Sequence, residues 1–109
     1  MQPTDARQRY VRTVLELYRA TPGVLGCVRR ADRQLAGELF DRRVPLYAVD
    51  YAFIVAAARR IRHNAYSTPL PPVRSLHYFR GVIEEMLERP PGYREIDALR
   101  QILDEQRSR

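Results

Sequence analysis

Apolar residues recur every three to four positions along most of the chain, the spacing that gathers them on one face of an α-helix. In the first predicted helix, Val14, Leu17 and Tyr18 form such a stripe, after Thr4 as a candidate N-cap and before Pro22 as a stop. The same pattern predicts five helices, over about residues 5–20, 32–43, 45–63, 72–88 and 93–106.

The third predicted helix is the most apolar of the five. Between Pro45 and His63, apolar residues form a broad stripe, and Tyr51, Ile54 and Ala58 extend it around nearly the whole circumference. A helix of this kind belongs at the centre of a bundle. The sequence therefore predicts an all-α fold, a compact bundle of four to five helices with an apolar central helix, as a single domain over residues 1–109.

The connections between the predicted helices contain no strand pattern. The short apolar stretch at residues 24–28, which includes Gly26 and Cys27, is interpreted as an ordered loop or a helical turn, because no partner strand is visible. Residues 64–72 are predicted to be a loop, since Pro69, Pro71 and Pro72 disfavour helix before them.

Membrane insertion and secretion are not expected. The longest apolar run, residues 51–58, has about 8 residues, whereas a transmembrane helix needs about 20. Residues 1–30 contain no apolar region typical of a signal peptide. Cys27 is the single cysteine, which excludes an intramolecular disulfide and fits a reducing compartment. We therefore expect a cytoplasmic protein without a membrane partner.

Charge is the most unusual feature of the composition. The formal net charge is +6, and all 19 basic residues are arginine. A GC-rich bacterial genome would explain the absence of lysine, and so would selection for planar donors that match phosphates and carboxylates. Residues 1–80 hold 14 arginines and 6 acidic residues, whereas residues 81–109 hold 5 arginines and 7 acidic residues. This asymmetry indicates either an anionic partner on one face or attraction between the two parts of the chain.

Arginines are concentrated near the predicted helix ends, and tyrosines accompany them. A first cluster comprises Arg29, Arg30 and Arg33. If the later helix ends converge on one rim, their arginines could bind phosphates while the tyrosines stack on unpaired bases. The candidate nucleic-acid-binding residues are Arg42, Arg43, Arg59, Arg60, Arg62, Arg74, Tyr66 and Tyr78. The competing interpretation is structural, because arginines near helix C-termini stabilise the helix by roughly 0.3–1 kcal/mol each.

The sequence offers little for catalysis or metal binding. His63 and His77 form no HxxxH or HExxH motif, and Cys27 has no CxxC companion. Glu84 and Glu85 are adjacent and therefore point in different directions on a helix. We expect a non-enzymatic protein with no cofactor, no metal and no small-molecule substrate, and the sequence assigns no role to the histidines or the cysteine.

The segment 35–52 invites comparison with a helix-turn-helix motif. Leu35, Ala36 and Leu39 fit its first helix, but the turn at residues 41–43 lacks the usual glycine. A recognition helix must present polar side chains to base edges, whereas this one would present Tyr51 and Ile54, which belong in a core. Sequence-specific reading of a major groove is therefore the less favoured form of DNA binding.

A larger segment, residues 35–87, resembles the C-terminal helical module of the DnaD-like primosomal helicase loaders and small bacterial mobile-element proteins. The matching residues are Val44-Pro45-Leu46 with Val49 and Ala52, then Ala56 to Arg60, then Tyr78-Phe79 followed by Val82-Ile83. The resemblance implies binding to DNA, chiefly single-stranded, and to protein partners, without catalysis.

Two functions follow as expectations. The first is a non-enzymatic nucleic-acid-binding helical domain for non-specific or single-stranded DNA, associated with replication or mobile elements. The alternative is a protein–protein interaction or homodimerisation module of a bacterial protein, because surfaces rich in tyrosine and arginine are also typical of interface hot spots.

Overall fold

The computed structural model describes residues 3–108 of the chain, with side chains from residue 5 onward. This part of the chain forms five α-helices, which confirms the predicted all-α bundle. The helices are α1 (Pro3–Ala20), α2 (Arg30–Asp41), α3 (Leu46–Tyr66), α4 (Arg80–Glu88) and α5 (Tyr93–Arg107). A single 3₁₀ turn, Leu76–Phe79, directly precedes α4. Because α1 already begins at Pro3, Thr4 lies within the helix and is not the N-cap that the sequence predicted.

Helix α3 lies at the centre, as its apolar circumference predicts. It packs against α1, α4, α5 and the 3₁₀ turn, and its residues 52–58 are all buried. Small side chains at Ala52 and Ala56 allow neighbouring helices to approach closely. The aromatic ring of Phe53 meets the ring of Phe79 edge-on at 4.8 Å between centroids, which ties the centre of α3 to the 3₁₀ turn. One contiguous apolar core results.

Helices α1 and α2 form an antiparallel hairpin. Near the start of α1, Arg7 donates hydrogen bonds to the carboxylate of Asp41 at the end of α2. The Tyr10 hydroxyl donates to the Val44 carbonyl at 2.7 Å, and burial raises the pKa of Tyr10 to about 12. Gly37 is buried on the facing side of α2, and a Cβ there would meet the Arg7 guanidinium. The absence of a side chain at residue 37 therefore lets Arg7 cross α2 and reach Asp41.

The start of α2 differs from the prediction. We expected the helix to begin at Asp32, but it begins at Arg30, and Asp32 lies in its first turn. The Asp32 carboxylate is 1% exposed and accepts hydrogen bonds from the backbone N–H groups of Arg29 and Leu76 and from the Ser75 hydroxyl. Asp32 thus stabilises the N-terminus of α2 from inside the helix and also joins α2 to the 3₁₀ turn.

The end of α2 is shorter than predicted and closes with a Schellman motif. The Val44 N–H donates to the Leu39 carbonyl and the Arg43 N–H donates to the Phe40 carbonyl. Arg43 has a φ of 61°, a left-handed conformation that usually selects glycine. The prediction that α2 extends to Arg43 was therefore wrong by two residues.

The segment between α3 and α4 also differs from expectation. Helix α3 continues to Tyr66, and α4 begins at Arg80 rather than at Pro72. Residues near Val73 instead pair with the loop after α1, through hydrogen bonds from the Val73 N–H to the Gly23 carbonyl and from the Leu25 N–H to the Val73 carbonyl. This isolated parallel bridge between Val24 and Val73 orders the loop that was predicted at residues 24–28.

Within residues 3–108, none of the helices combines the length and apolar character needed to cross a bilayer.

Candidate nucleic-acid interface

Two of the candidate arginines already have carboxylate partners. Arg42 lies 2.7 Å from the Glu84 carboxylate, and Arg59 makes two hydrogen bonds to Glu85, one of them at 2.9 Å. The hydrogen bonds from Arg59 hold the pKa of Glu85 below its usual range and raise the pKa of Arg59. Adjacent acidic residues of α4 therefore partly neutralise the positive charge that α2 and α3 bring to this side of the bundle.

Arg60 is a buried residue rather than a surface one. Its side chain is covered so that only 8% of the residue is exposed. One guanidinium nitrogen donates to the Pro71 carbonyl and another to the Tyr78 hydroxyl, and the guanidinium carbon lies 5.4 Å from the centre of the Tyr78 ring. These contacts hold the loop before the 3₁₀ turn against α3, and they leave Arg60 poorly placed to reach a nucleic-acid phosphate.

The other candidates are exposed. Arg43, Arg62 and Arg74 form no ion pair with any residue in the described part of the chain. Tyr66 is 85% exposed, and Tyr78 is 49% exposed despite its contact with Arg60. A hollow of about 300 Å³ between α3 and α4 does bring three of the predicted residues together, since Arg59, Arg60 and Tyr78 line it. The structure therefore brings part of the predicted rim together, but the guanidinium groups of Arg59 and Arg60 already have hydrogen-bond partners there.

A second arginine-lined surface lies along the α1–α2 hairpin. An open groove of about 430 Å³ runs along one face of α1 and is bordered on the other side by α2. We call it the α1–α2 groove; its lining residues are Arg7, Gln8, Val11, Arg12, Leu15, Glu16, Arg19 and Arg33. Four of these residues are arginines and one is acidic.

Most of the positive charge in the α1–α2 groove is unengaged. Arg12, Arg19 and Arg33 are exposed and form no ion pair within residues 5–108. Arg7 is the exception, because it is bonded to Asp41, whose pKa it holds below the usual range. Apolar contacts from Val11 and Leu15 form the floor of the groove. The result is a concave surface with three available guanidinium groups above an apolar base.

The arginines of this groove were not among the predicted site residues, although their spacing in the sequence indicated a shared helix face. Arg12 and Arg19 are separated by seven residues, which places them on the same side of an α-helix two turns apart. Arg33 belongs to the cluster of arginines at the start of α2. Their convergence depends on how the hairpin closes, and that could not be read from spacing along one helix.

The two histidines, His63 and His77, and the cysteine, Cys27, to which the sequence assigned no role, lie exposed at the surface. Over the described ranges of the chain, no three His, Cys, Asp or Glu side chains come together as potential metal ligands. Of the side chains that a helix-turn-helix motif would present to base edges, Ile54 is buried in the core and Tyr51 is partly buried against it, whereas Tyr47 is 47% exposed.

Comparisons with known proteins add no further constraint. The chain matches no protein-family model, no curated protein and no solved structure at a significant level.

Proposed function

We propose that the protein binds nucleic acid, without reading sequence, through the α1–α2 groove. The observation that supports this proposal is the presence on one concave surface of Arg12, Arg19 and Arg33, which form no ion pair within residues 5–108, in a chain with a net charge of +6. Guanidinium groups donate two parallel hydrogen bonds to a phosphate, and such charge-assisted bonds are stronger than neutral ones. The groove is thus suited to a polyanion.

The length of the groove matches a short stretch of phosphate backbone. Residues 7 to 19 of α1 are separated by about 18 Å, because an α-helix rises about 1.5 Å per residue. One strand of B-DNA carries a phosphate about every 3.4 Å of helix axis, so several phosphates can lie along the groove. Three separated guanidinium groups can therefore contact different phosphates of the same strand.

The remaining groove residues favour binding without sequence preference. Besides the arginines, the polar side chains that line it are Gln8 and Glu16. Discrimination between bases requires donors and acceptors matched to base edges in the nucleic-acid grooves, and two such side chains provide little of that pattern. Single-stranded DNA is the first ligand to test, because the resemblance to DnaD-like modules implies it. A cytoplasmic location is part of the same proposal.

A comparison of two triple variants tests the location of the site. The groove variant carries Arg12→Gln, Arg19→Gln and Arg33→Gln, and the rim variant carries Arg43→Gln, Arg62→Gln and Arg74→Gln. Both lower the net charge by three, so any difference reports position rather than total charge. Fluorescence anisotropy with a labelled single-stranded oligonucleotide should show affinity lower by more than about tenfold in the groove variant alone. Equal losses, or a larger loss in the rim variant, would reject the groove.

A protein-interaction role is the second candidate, because one surface hollow is predominantly apolar. A hollow of about 680 Å³ lies where α2 meets α3, and Tyr10, Phe40, Pro45 and Leu46 line it. Tyr47, which follows on α3, is 47% exposed. Exposed apolar hollows of this kind are typical of protein contacts. Light scattering across a concentration series tests homodimerisation, and a constant monomer mass would leave the homodimer without support.

A further inference from the structure

Arg60 is a buried cation without an anionic partner. None of the ion pairs formed within the described residues includes it, and its hydrogen bonds go to the carbonyl of Pro71 and the hydroxyl of Tyr78, which carry no formal charge at neutral pH. Its Nε atom is buried and has no hydrogen-bond partner among the residues that the structure describes. A buried charge is stabilised when an opposite charge lies beside it, so this environment favours an anion that the protein itself does not supply.

The buried guanidinium borders a pocket whose chemistry suits such an anion. The pocket has a volume of about 420 Å³ and lies between α3, the loops that flank the bridge at Val24 and Val73, and the end of α5. Its lining residues are Pro22, Gly23, Val24, Ala57, Arg60, Ile61, Asn64, Leu70, Pro72 and Gln106. None of these residues is acidic, and most of them are apolar.

Arg60 lines this pocket, and Gly23 packs directly against its guanidinium. A Cβ atom placed on Gly23 would be 3.2 Å from Nε, so a side chain at residue 23 would crowd the guanidinium. Gly23 has a φ of 90°, which other residues rarely adopt. Residue 23 is therefore best filled by glycine for two reasons, its backbone conformation and the limited space beside Arg60.

Amide groups supply further donors at the pocket. The Asn64 side-chain oxygen accepts a hydrogen bond from the Leu70 N–H at 2.9 Å, and the NH₂ group of the same amide has no acceptor among the described residues. Gln106 contributes a second amide from α5. A guanidinium and two amides above apolar walls can recognise a carboxylate that is attached to an apolar body.

We propose that this pocket binds a small organic carboxylate, with the carboxylate group paired to Arg60 and the apolar body against Ala57, Ile61 and Leu70. The pocket shares no lining residue with the α1–α2 groove, so the proposal is independent of nucleic-acid binding. It also goes beyond the sequence expectation that no small-molecule substrate is used.

The test uses benzoate as the probe, with benzamide and inorganic phosphate as comparison ligands. Titration followed by ¹H–¹⁵N NMR should show saturable shifts of the Gly23, Val24 and Ala57 amides with benzoate. Benzamide has nearly the same shape without the charge, and phosphate has charge without an apolar body. Both should bind at least about tenfold more weakly than benzoate.

Because Arg60 also holds the neighbouring loop against α3, the variants leave Arg60 in place and add a carboxylate to the pocket instead. Asn64→Asp preserves the acceptor for the Leu70 N–H, and Gln106→Glu lies on the surface of α5. Each should weaken benzoate binding by about tenfold or more through charge repulsion, whereas Gln34→Glu on α2 makes the same charge change away from the pocket. Absence of saturable shifts, equal binding of benzamide or of phosphate, or equal weakening by Gln34→Glu would overturn the proposal.

Discussion

Arg59 on α3 and Arg12 on α1 are both exposed arginines of long helices, but their surroundings differ. Arg59 faces Glu85 of α4 and is held by two hydrogen bonds, whereas Arg12 borders the α1–α2 groove and has no ionic partner in the described part of the chain. The local density of arginine in the sequence favours the surface around Arg59, where three of four consecutive residues are basic. The comparison teaches that pairing, rather than the number of arginines, determines which surface has charge available for a ligand.

Loss of the Asp32 carboxylate, which connects α2 to the turn before α4, should lower the free energy of unfolding more than the other substitutions. Asp32→Ala would leave the buried Leu76 N–H without an acceptor. We expect the free energy of unfolding to fall by about 3 kcal/mol, because the N–H groups of Arg29 and Leu76 both lose a charged partner. Urea denaturation measures the change. Asp32→Asn, which keeps one acceptor oxygen, should lose less, whereas unchanged stability of Asp32→Ala would show that the acceptor is unimportant.

Removing two carboxylates of α4 would make the surface around Arg59 resemble the α1–α2 groove, because its arginines would then lack their ionic partners. Glu84→Gln with Glu85→Gln would release Arg42 and Arg59 from their carboxylates. If pairing is what disables these arginines, DNA affinity should rise, and the slope of log affinity against log salt should steepen by about 1.4 for a single strand. The control is Glu88→Gln with Glu105→Gln, which adds the same charge elsewhere. Equal gains in both variants would mean that total charge alone controls binding.

Two tyrosines of α1 should respond in opposite directions to loss of their hydroxyl groups. The Tyr18 hydroxyl is buried without a hydrogen-bond partner among the described residues, whereas the Tyr10 hydroxyl donates to the Val44 carbonyl. Tyr18→Phe should therefore raise the free energy of unfolding by about 1 kcal/mol, and Tyr10→Phe should lower it by about 1 kcal/mol. Chemical denaturation distinguishes them, and a destabilised Tyr18→Phe protein would indicate a partner for that hydroxyl.

The smallest effect should come from the pH dependence of the Arg59–Glu85 pair. Because Arg59 lowers the pKa of Glu85 in the folded protein, the pair stabilises the fold above the ordinary pKa of about 4.5. That contribution disappears as the pH falls through the lowered pKa. Wild type should thus exceed Glu85→Gln by less than about 1 kcal/mol at neutral pH and by nothing in acid, as thermal unfolding would show. A difference that does not change with pH would contradict an ionic origin.

The sequence predicted all five helices because their apolar periodicity is local. It misplaced the start of α2, where Asp32 accepts a hydrogen bond from the nearby Arg29 N–H within the first turn, and the start of α4, which depends on contacts between distant residues. Asp32 bonds to Leu76, and Val73 pairs with Gly23 and Leu25 instead of continuing a helix. The sequence also identified Arg29, Arg30 and Arg33 as a basic cluster.

The candidate site was harder to predict for the same physical reason. Arg59 and Glu85 are 26 residues apart, and Arg60 and Tyr78 are 18 residues apart, so neither contact is visible as a local pattern. Burial of Arg60 follows from the folding of the loop at residues 67–75 over α3. Arginine clusters in a sequence thus show which segments are basic, but tertiary contacts determine which of those arginines remain available to a ligand.

The salt dependence of single-stranded DNA binding tests the central claim most directly. If Arg12, Arg19 and Arg33 contact three phosphates, the slope of log affinity against log salt should be about −2 for wild type and near zero when all three are changed to glutamine. An unchanged slope in that groove variant, together with a slope near zero in the rim variant, would contradict the account.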